Sequence, residues 1–436
     1  MVASASNGTS DSNGAAGSNG AAQREFKFIR GSECSDTKCE WPKDAVKVRK
    51  KLGEALNSQN VSFLLGAGCS SACKNGKELG ISTMKNLAIE FTKTRKNNGG
   101  TFPTTAERET LQKQFGVDLG CDKYSKNLEN LMGVMFSLQF SLTQSSLECA
   151  AGQLETVNSV IEKAKKFLCK KCTEGNFSEE DNAVMKSYLS FYRKLVLRDR
   201  SLPRPWVFTT NYDLFNETAM DRLGLQYTNG FSGVVERYFN PATFRYALAE
   251  QLDLTTRKWS AVDGFVYLCK LHGSISWTNS DHGLFPIRET ATVENPGDVM
   301  IYPTPAKQTS SLGSPYTDLF REFQSRVVRE QSVLFTIGYS FGDEHINNII
   351  YQALSIPTFR LIIFTDPCLQ DEFEKLHNLN DPRIWFIGGG GPEEGRKAHY
   401  FDTFVDEFMP QRPNERIDKA IKKLLSSELR NVRREK

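Results

Sequence analysis

A series of apolar runs in this chain stop at small, polar motifs, and that arrangement constrains the fold more than any other feature. Residues 61–65 run into Gly66-Ala67-Gly68-Cys69-Ser70, 206–209 into Thr210-Asn211-Tyr212-Asp213, and 265–271 into His272-Gly273-Ser274. Residues 333–337 likewise run into Gly338-Tyr339-Ser340, and 361–364 into Thr365-Asp366. Short apolar runs bounded by turn residues fit strands buried on both faces. Ligands of open parallel α/β sheets bind outside the carboxyl ends of the strands. Motifs spread along most of the chain are therefore expected to meet in one nucleotide pocket.

A chain of 436 residues, 39% of them hydrophobic, can bury a large core in one big domain with an elaboration, or in two domains. The formal charge of +3 makes no strong case for nucleic acid or membrane as the main partner. No apolar run reaches the roughly 18–20 residues that cross a bilayer, and the N-terminus lacks a secretory apolar segment, so a cytoplasmic protein is expected. The 10 cysteines then read as free thiols. Cys169 and Cys172 have half of a zinc-ribbon spacing but no second pair follows, so they fit a helical face carrying half-buried thiols, and no metal is expected.

Residues 2–22 are almost wholly small and polar and are expected to be disordered, with 1–41 a tail and leader. A catalytic domain is expected over 42–410, opening on an amphipathic helix near 44–58. Between 84 and 200 the apolar spacing is helical throughout, which implies a helical insertion packed over the sheet or making an oligomer contact. From 205 strand and helix signals alternate again, with a last strand at 384–387, as in a doubly wound, Rossmann-like parallel sheet. Stretches 228–260 and 277–305 read as long irregular loops, either able to close over a ligand. Residues 411–436 fit a docked amphipathic helix with a basic end.

Each motif has a chemical and a bland reading. Gly66, Ala67 and Gly68, with Cys69 and Ser70 leading toward a helix, can present backbone N–H groups to a diphosphate, although strand-to-helix turns use small residues for steric reasons too. Thr210, Asn211 and Asp213 can grip a ribose and a carboxamide, or form an Asx turn that starts a helix. His272, at the end of an apolar strand and before Gly273, is the best general-base candidate; His282, His345, His377 and His399 read as structural. Gly338, Tyr339 and Ser340 suit the second half of a dinucleotide, and Asp343 caps the following helix or contacts a ribose. Asp366 is placed to accept hydrogen bonds from an adenosine ribose.

In this order, GAGCS, TTNYD, KLHGS and GYSFGD resemble the sirtuin-like NAD-hydrolase domains of bacterial anti-phage defence proteins, over roughly residues 61–387. The resemblance implies that Gly66, Ala67, Gly68 and Ser70 hold the NAD diphosphate, that Asn211 and Asp213 contact the nicotinamide ribose and carboxamide, and that His272 is the base. The chain departs from the family's protein deacylases in lacking two C-x-x-C pairs and, at 80–84, the Pro-Asp-Phe element. Water is then the expected acceptor, giving nicotinamide and ADP-ribose. The resemblance further implies a regulated, toxin-like effector that depletes NAD in abortive infection. Such effectors are homo-oligomers and answer to a HerA-type ATPase, an Argonaute-like protein or a phage protein. A deacylase or ADP-ribosyltransferase, and a non-catalytic nucleotide-binding module, are the alternatives.

Overall fold

A strand without a polar face is stable only where both faces are covered, and each apolar run singled out above is a strand buried along nearly its whole length. The computed structural model describes residues 24–31, 37–74, 77–94, 100–174, 182–253, 258–262, 264–280, 286–292, 295–296, 299–301, 315–366 and 372–411. The main sheet has nine strands. In chain order they are β1 (Glu25–Arg30), β2 (Thr37–Glu40), β3 (Asn60–Leu65), β4 (Trp206–Thr209), β5 (Gln226–Thr228), β6 (Phe265–Lys270), β7 (Ser332–Ile337), β8 (Arg360–Phe364) and β9 (Ile384–Gly389).

Across the sheet the order is β2, β1, β9, β8, β7, β3, β4, β6, β5. From β9 to β5 all neighbours are parallel, and β1 and β2 add an antiparallel edge beside β9. The chain builds outward from β3 in one direction, then returns to the other side of β3 with β7. The switch point therefore lies between β3 and β7. Register sets the strand ends level: Leu65 pairs with Thr209 and Ile337, Thr209 with Lys270, and Ile337 with Phe364. The motifs that follow start from one row.

Side chains alternate between two cores, as a period of two dictates. Phe63, Leu65, Val207, Phe335, Ile337 and Phe364 join one cluster; Leu64, Phe208, Leu334, Leu361 and Ile363 join the other. The first cluster takes in the helices between 84 and 200, among them Leu128–Thr143, Ala150–Glu174 and Ala183–Leu195. No strand interrupts the described residues of that region. Phe63 stacks on Phe335 at 5.1 Å and meets Phe191 edge-on at 5.2 Å, so the helical layer is seated on the sheet itself. The second cluster is covered by helices Tyr316–Val327 and Glu344–Leu354. The sheet is doubly wound.

Two expectations need correction. The sheet begins at Glu25, ahead of residue 42, because Phe26 and Phe28 alternate with Lys27 and bury one face of a strand paired between β2 and β9. The stretches read as irregular also contain a second, five-stranded sheet, in the order Val299–Ile301, Gly273–Asn279, Ile287–Glu289, Arg237–Phe239, Phe231–Ser232. Apart from Gly273–Asn279 its strands are too short for alternation to stand out. His282, residues 1–23 and the 412–436 part of the expected C-terminal helix lie outside the described residues.

The switch point depends on glycine. Gly338 has φ +64°, and a Cβ there would lie 2.7 Å from the Cys69 nitrogen. Gly338→Ala should lower stability by about 1–3 kcal/mol in urea denaturation, through the positive φ and the clash. Gly53, inside helix Lys43–Leu56 with open space around it, is the contrast: Gly53→Ala should raise stability by about 0.5–1 kcal/mol.

Candidate active site

At the switch point the loops after β3 and β7 touch through backbone, with Gly66 N–H donating to Ile337 O at 2.9 Å and Gly68 N–H to Gly338 O at 3.0 Å. Over this contact lies a cavity of about 400 Å³, lined among others by Ala67, Gly68, Ser70, Thr210, Asn211, Asp213, His272, Gly338, Tyr339, Ser340 and Asp343. A second chamber of about 540 Å³ shares Gly68, Thr83, Gly338, Tyr339 and Ser340 with it and extends to Thr365, Asp366, His399 and Tyr400. Loops from five strand ends thus build one two-chambered cleft across β7, where a doubly wound sheet binds its ligand. Residues of the helical region, including Met84, Leu87, Glu129, Leu168 and Cys172, form the outer wall.

Some predicted residues sit elsewhere. The loop after β3 does not open a helix: Ala67–Cys69 is one 3-10 turn, followed by a hairpin of Ser71–Lys74 and Lys77–Gly80. The N–H groups of Gly68, Cys69 and Ser70 bond Gly338 O, Gly66 O and Ala67 O. No helix N-terminus faces the cleft from this loop, because Gly68 N–H is used by Gly338 O and those of Cys69 and Ser70 close the turn itself. Gly66 backs the cleft rather than lining it; a Cβ there would lie 2.4 Å from Gly338 O. Cys69 points into the core, its thiol 3.2 Å from Ile337 O, and burial pushes its pKa up. Its place in the motif is one of packing.

The loop after β4 carries a hydrogen-bonded chain. Asn211 Nδ2 donates to Gly66 O at 3.0 Å and to Ser70 Oγ at 2.8 Å, and Ser70 Oγ donates to Asp213 Oδ2 at 2.6 Å. With Gly66 O able only to accept, the amide nitrogen of Asn211 must face inward and its carbonyl is the end presented to the cleft. Asp213 Oδ1 also accepts from Phe215 N–H at 3.1 Å, so the Asx turn is real and coexists with a place in the cleft wall. Burial raises the Asp213 pKa, and the nearby Lys270 opposes the rise.

Lys270 was not foreseen. It is fully buried at the end of β6, and its ammonium bonds the carbonyls of Tyr212 and Asp213 and the Glu217 carboxylate, the last at 3.0 Å. The only sequence signal is a lysine closing an otherwise apolar strand. It ties the loop after β4 to β6. Lys270→Met should cost about 3–5 kcal/mol in urea denaturation by leaving Glu217 an uncompensated buried charge. Adding Glu217→Leu should restore part of that loss.

His272 lies in the turn between β6 and the strand Gly273–Asn279, where Gly273 has φ +94°. Both ring nitrogens are held by carboxylates: Nδ1 is 3.0 Å from Glu129 Oε1 and Nε2 is 2.9 Å from Asp343 Oδ2. Burial alone would favour the neutral ring, but Glu129 and Asp343 outweigh it and lift the His272 pKa to about 9. Burial would raise Asp343, yet His272 and the helix N–H groups hold it at about 2. In this arrangement His272, the general-base candidate, is a doubly clamped imidazolium at neutral pH. Asp343 also caps helix Glu344–Leu354, accepting from His345 N–H at 2.7 Å and Ile346 N–H at 3.2 Å. Glu129 was missed because nothing in its sequence context separates it from any acidic residue in the first turn of a helix.

A histidine pKa raised by folding adds stability that is full below about pH 6.5 and disappears as pH rises through about 9. Wild-type stability should therefore fall over that window in urea denaturation at stepped pH, and the fall should flatten in His272→Gln.

Tyr339 is buried and donates to Asn347 Oδ1 at 3.0 Å, while Ser340 is exposed at the mouth. Asp366 is exposed in the second chamber. His399, expected to be structural, lines that chamber, and its Nδ1 is buried with no hydrogen-bond partner among the described residues. Cys169 and Cys172 are free thiols on helix Ala150–Glu174. Among the described residues no group of three or more His, Cys, Asp or Glu is placed to hold a metal ion, and no helix is long and apolar enough to cross a membrane.

Residues 205–376 match the family described as SIR2-like domain. A comparison with curated proteins finds no match. The matched stretch holds Asn211, Asp213, His272, Asp343 and Asp366, and the sheet adds β3 with its glycine loop to the same cleft. With its strand-end motifs gathered at the switch point of a doubly wound sheet, the chain is similar over residues 205–376 to the SIR2-like domain, consistent with a sirtuin-like fold.

Proposed function

We propose that this protein is an NAD+ hydrolase that cleaves the bond between nicotinamide and ribose. The observation that carries the reading is the convergence of the Asn211–Ser70–Asp213 chain and His272 on one cleft. The adjoining chamber with Asp366 is suited to the adenosine half. Asn211, with its amide orientation locked, directs its carbonyl to the ribose and the attacking water. Asp213 and Ser70 hold that amide and border the site of the leaving carboxamide. The glycosidic C–N bond breaks through an oxocarbenium-like transition state, water oxygen bonds the ribose carbon, and the released proton passes to His272 once its ring is neutral. Nicotinamide and ADP-ribose are the products.

Water is the acceptor in this reading because the sequence lacks the two C-x-x-C pairs of the deacylases. An unrestrained NAD hydrolase would kill its host, and the clamped His272 is what a restrained one needs at rest. The strand-end motifs resemble those of anti-phage effectors, so we assign the activity to NAD depletion in abortive infection. A homo-oligomer controlled by a HerA-type ATPase or another sensor is the expected setting.

The test is nicotinamide release from NAD+ by the whole chain, with and without an acetylated peptide and with products identified by mass. ADP-ribose formed without peptide supports the hydrolase; strict peptide dependence would replace it with a deacylase or transferase, and binding without turnover with a regulatory module. Asn211→Ala and His272→Ala should each lower turnover by about 10²- to 10⁴-fold while near-UV circular dichroism stays unchanged. NADP should be the poorer substrate because Asp366 repels a 2′-phosphate, and Asp366→Ser should narrow the gap.

A further inference from the structure

A base that accepts a proton needs a neutral ring with one nitrogen open, and His272 has neither. The groups that face it are Glu129 from the helical region and Asp343 from the loop after β7, with the Tyr212 hydroxyl donating to Glu129 Oε1 at 3.1 Å. Lys126 and Lys85 line the same cavity, and the Lys126 ammonium pairs with Asp122 at 2.7 Å. For the ring to be neutral near pH 7 with one nitrogen open, one of the two carboxylates must leave.

The two are not held alike. Asp343 is fixed by its own helix, with Oδ1 on two backbone N–H groups, Oδ2 on His272 and a side chain 9% exposed. Glu129 has a side chain 26% exposed and sits in the first turn of helix Leu128–Thr143, whose N-cap Asn127 accepts from Glu129 N–H at 2.9 Å. Lys126 and Asn127, the residues just before that turn, line the cavity as well. Whatever enters the cleft or shifts the helical layer acts on this turn. Asp343 cannot retreat without uncapping its helix.

We propose that Glu129 is a latch on His272: in the resting protein its carboxylate occupies Nδ1, and the site becomes competent when the first turn of helix Leu128–Thr143 draws it away. This rests on the reading of His272 as the base. Release of Glu129 lets the imidazolium give one proton to solvent; Nδ1 then holds a lone pair that takes one proton from water or a ribose hydroxyl. Asp343 remains ionised on Nε2–H and orients the ring, as a carboxylate behind a catalytic histidine does. Glu129 is thus a regulatory and positioning residue, and the helical region is the element through which control reaches the chemistry.

Glu129→Gln keeps the shape and removes the charge, and is tested in the full chain. The midpoint of the His272 ring, followed by NMR of ¹⁵N-histidine-labelled protein, should fall from about 9 by at least one unit. Nicotinamide release from NAD+ at pH 7.5 should rise about tenfold, with the acid limb of the pH–rate profile moving in step. Glu129→Asp, whose shorter side chain pulls back from Nδ1 while keeping its charge, should shift both in the same direction by less, and stands in if the glutamine variant does not fold. An unmoved ring midpoint overturns the latch. So does a fallen midpoint with slower cleavage, which would make Glu129 a participant in the reaction. If no variant releases nicotinamide, the hydrolase reading alone fails, and the ring titration still decides whether Glu129 holds His272 charged.

Discussion

The close approach of the turns after β3 and β7 is the contact on which the rest of the site depends. Two parallel strands whose connections leave in opposite directions open a crevice at their carboxyl ends, and backbone can close its floor only where no Cβ intervenes. Gly66, Gly68 and Gly338 meet that condition, with prospective Cβ contacts of 2.4–2.8 Å to the opposing backbone. The same approach takes up the N–H groups of Gly66 and Gly68, while those of Cys69 and Ser70 close the turn itself.

Charge is arranged around this floor in two layers. Beneath it, Lys270 and Glu217 form a buried pair whose ammonium also holds the carbonyls of Tyr212 and Asp213, so the loop bearing Asn211 is fixed from below. Beside it, His272 is fixed by Glu129 and Asp343. The first layer gives rigidity, because the Lys270 ammonium ties the loop after β4 and helix Phe215–Leu223 to β6. In the second, one of the partners belongs to the helical layer and is only partly buried. Rigid support and adjustable charge are separated by which element carries each group.

The helical region between 84 and 200 gains its meaning from this division. Its helices cover one face of the sheet through Phe63, Phe335 and Phe191, and one helix start reaches His272. A layer added only for stability would not need to place a carboxylate there. Through Glu129 the region places a partly buried carboxylate on the His272 ring.

Sequence alone determined the strands of the parallel sheet other than Gln226–Thr228, their carboxyl-end motifs and the helical character of the insertion, since burial on both faces imposes continuous apolar runs and helices impose a period of 3.6. It also marked Asn211, Asp213, His272 and Asp343, because polar residues at the end of a buried strand have few structural reasons to be there. Tertiary structure alone decided what those residues touch. Glu129 lies 143 positions from His272, and no local pattern encodes a contact across that distance. The fate of the glycine loop was likewise set by its neighbour: whether Gly66 to Ser70 turn into a helix or a hairpin depends on Gly338, a residue brought alongside only when β7 pairs with β3. Periodicity reports which face of an element is buried; which charges meet is a property of the assembled sheet.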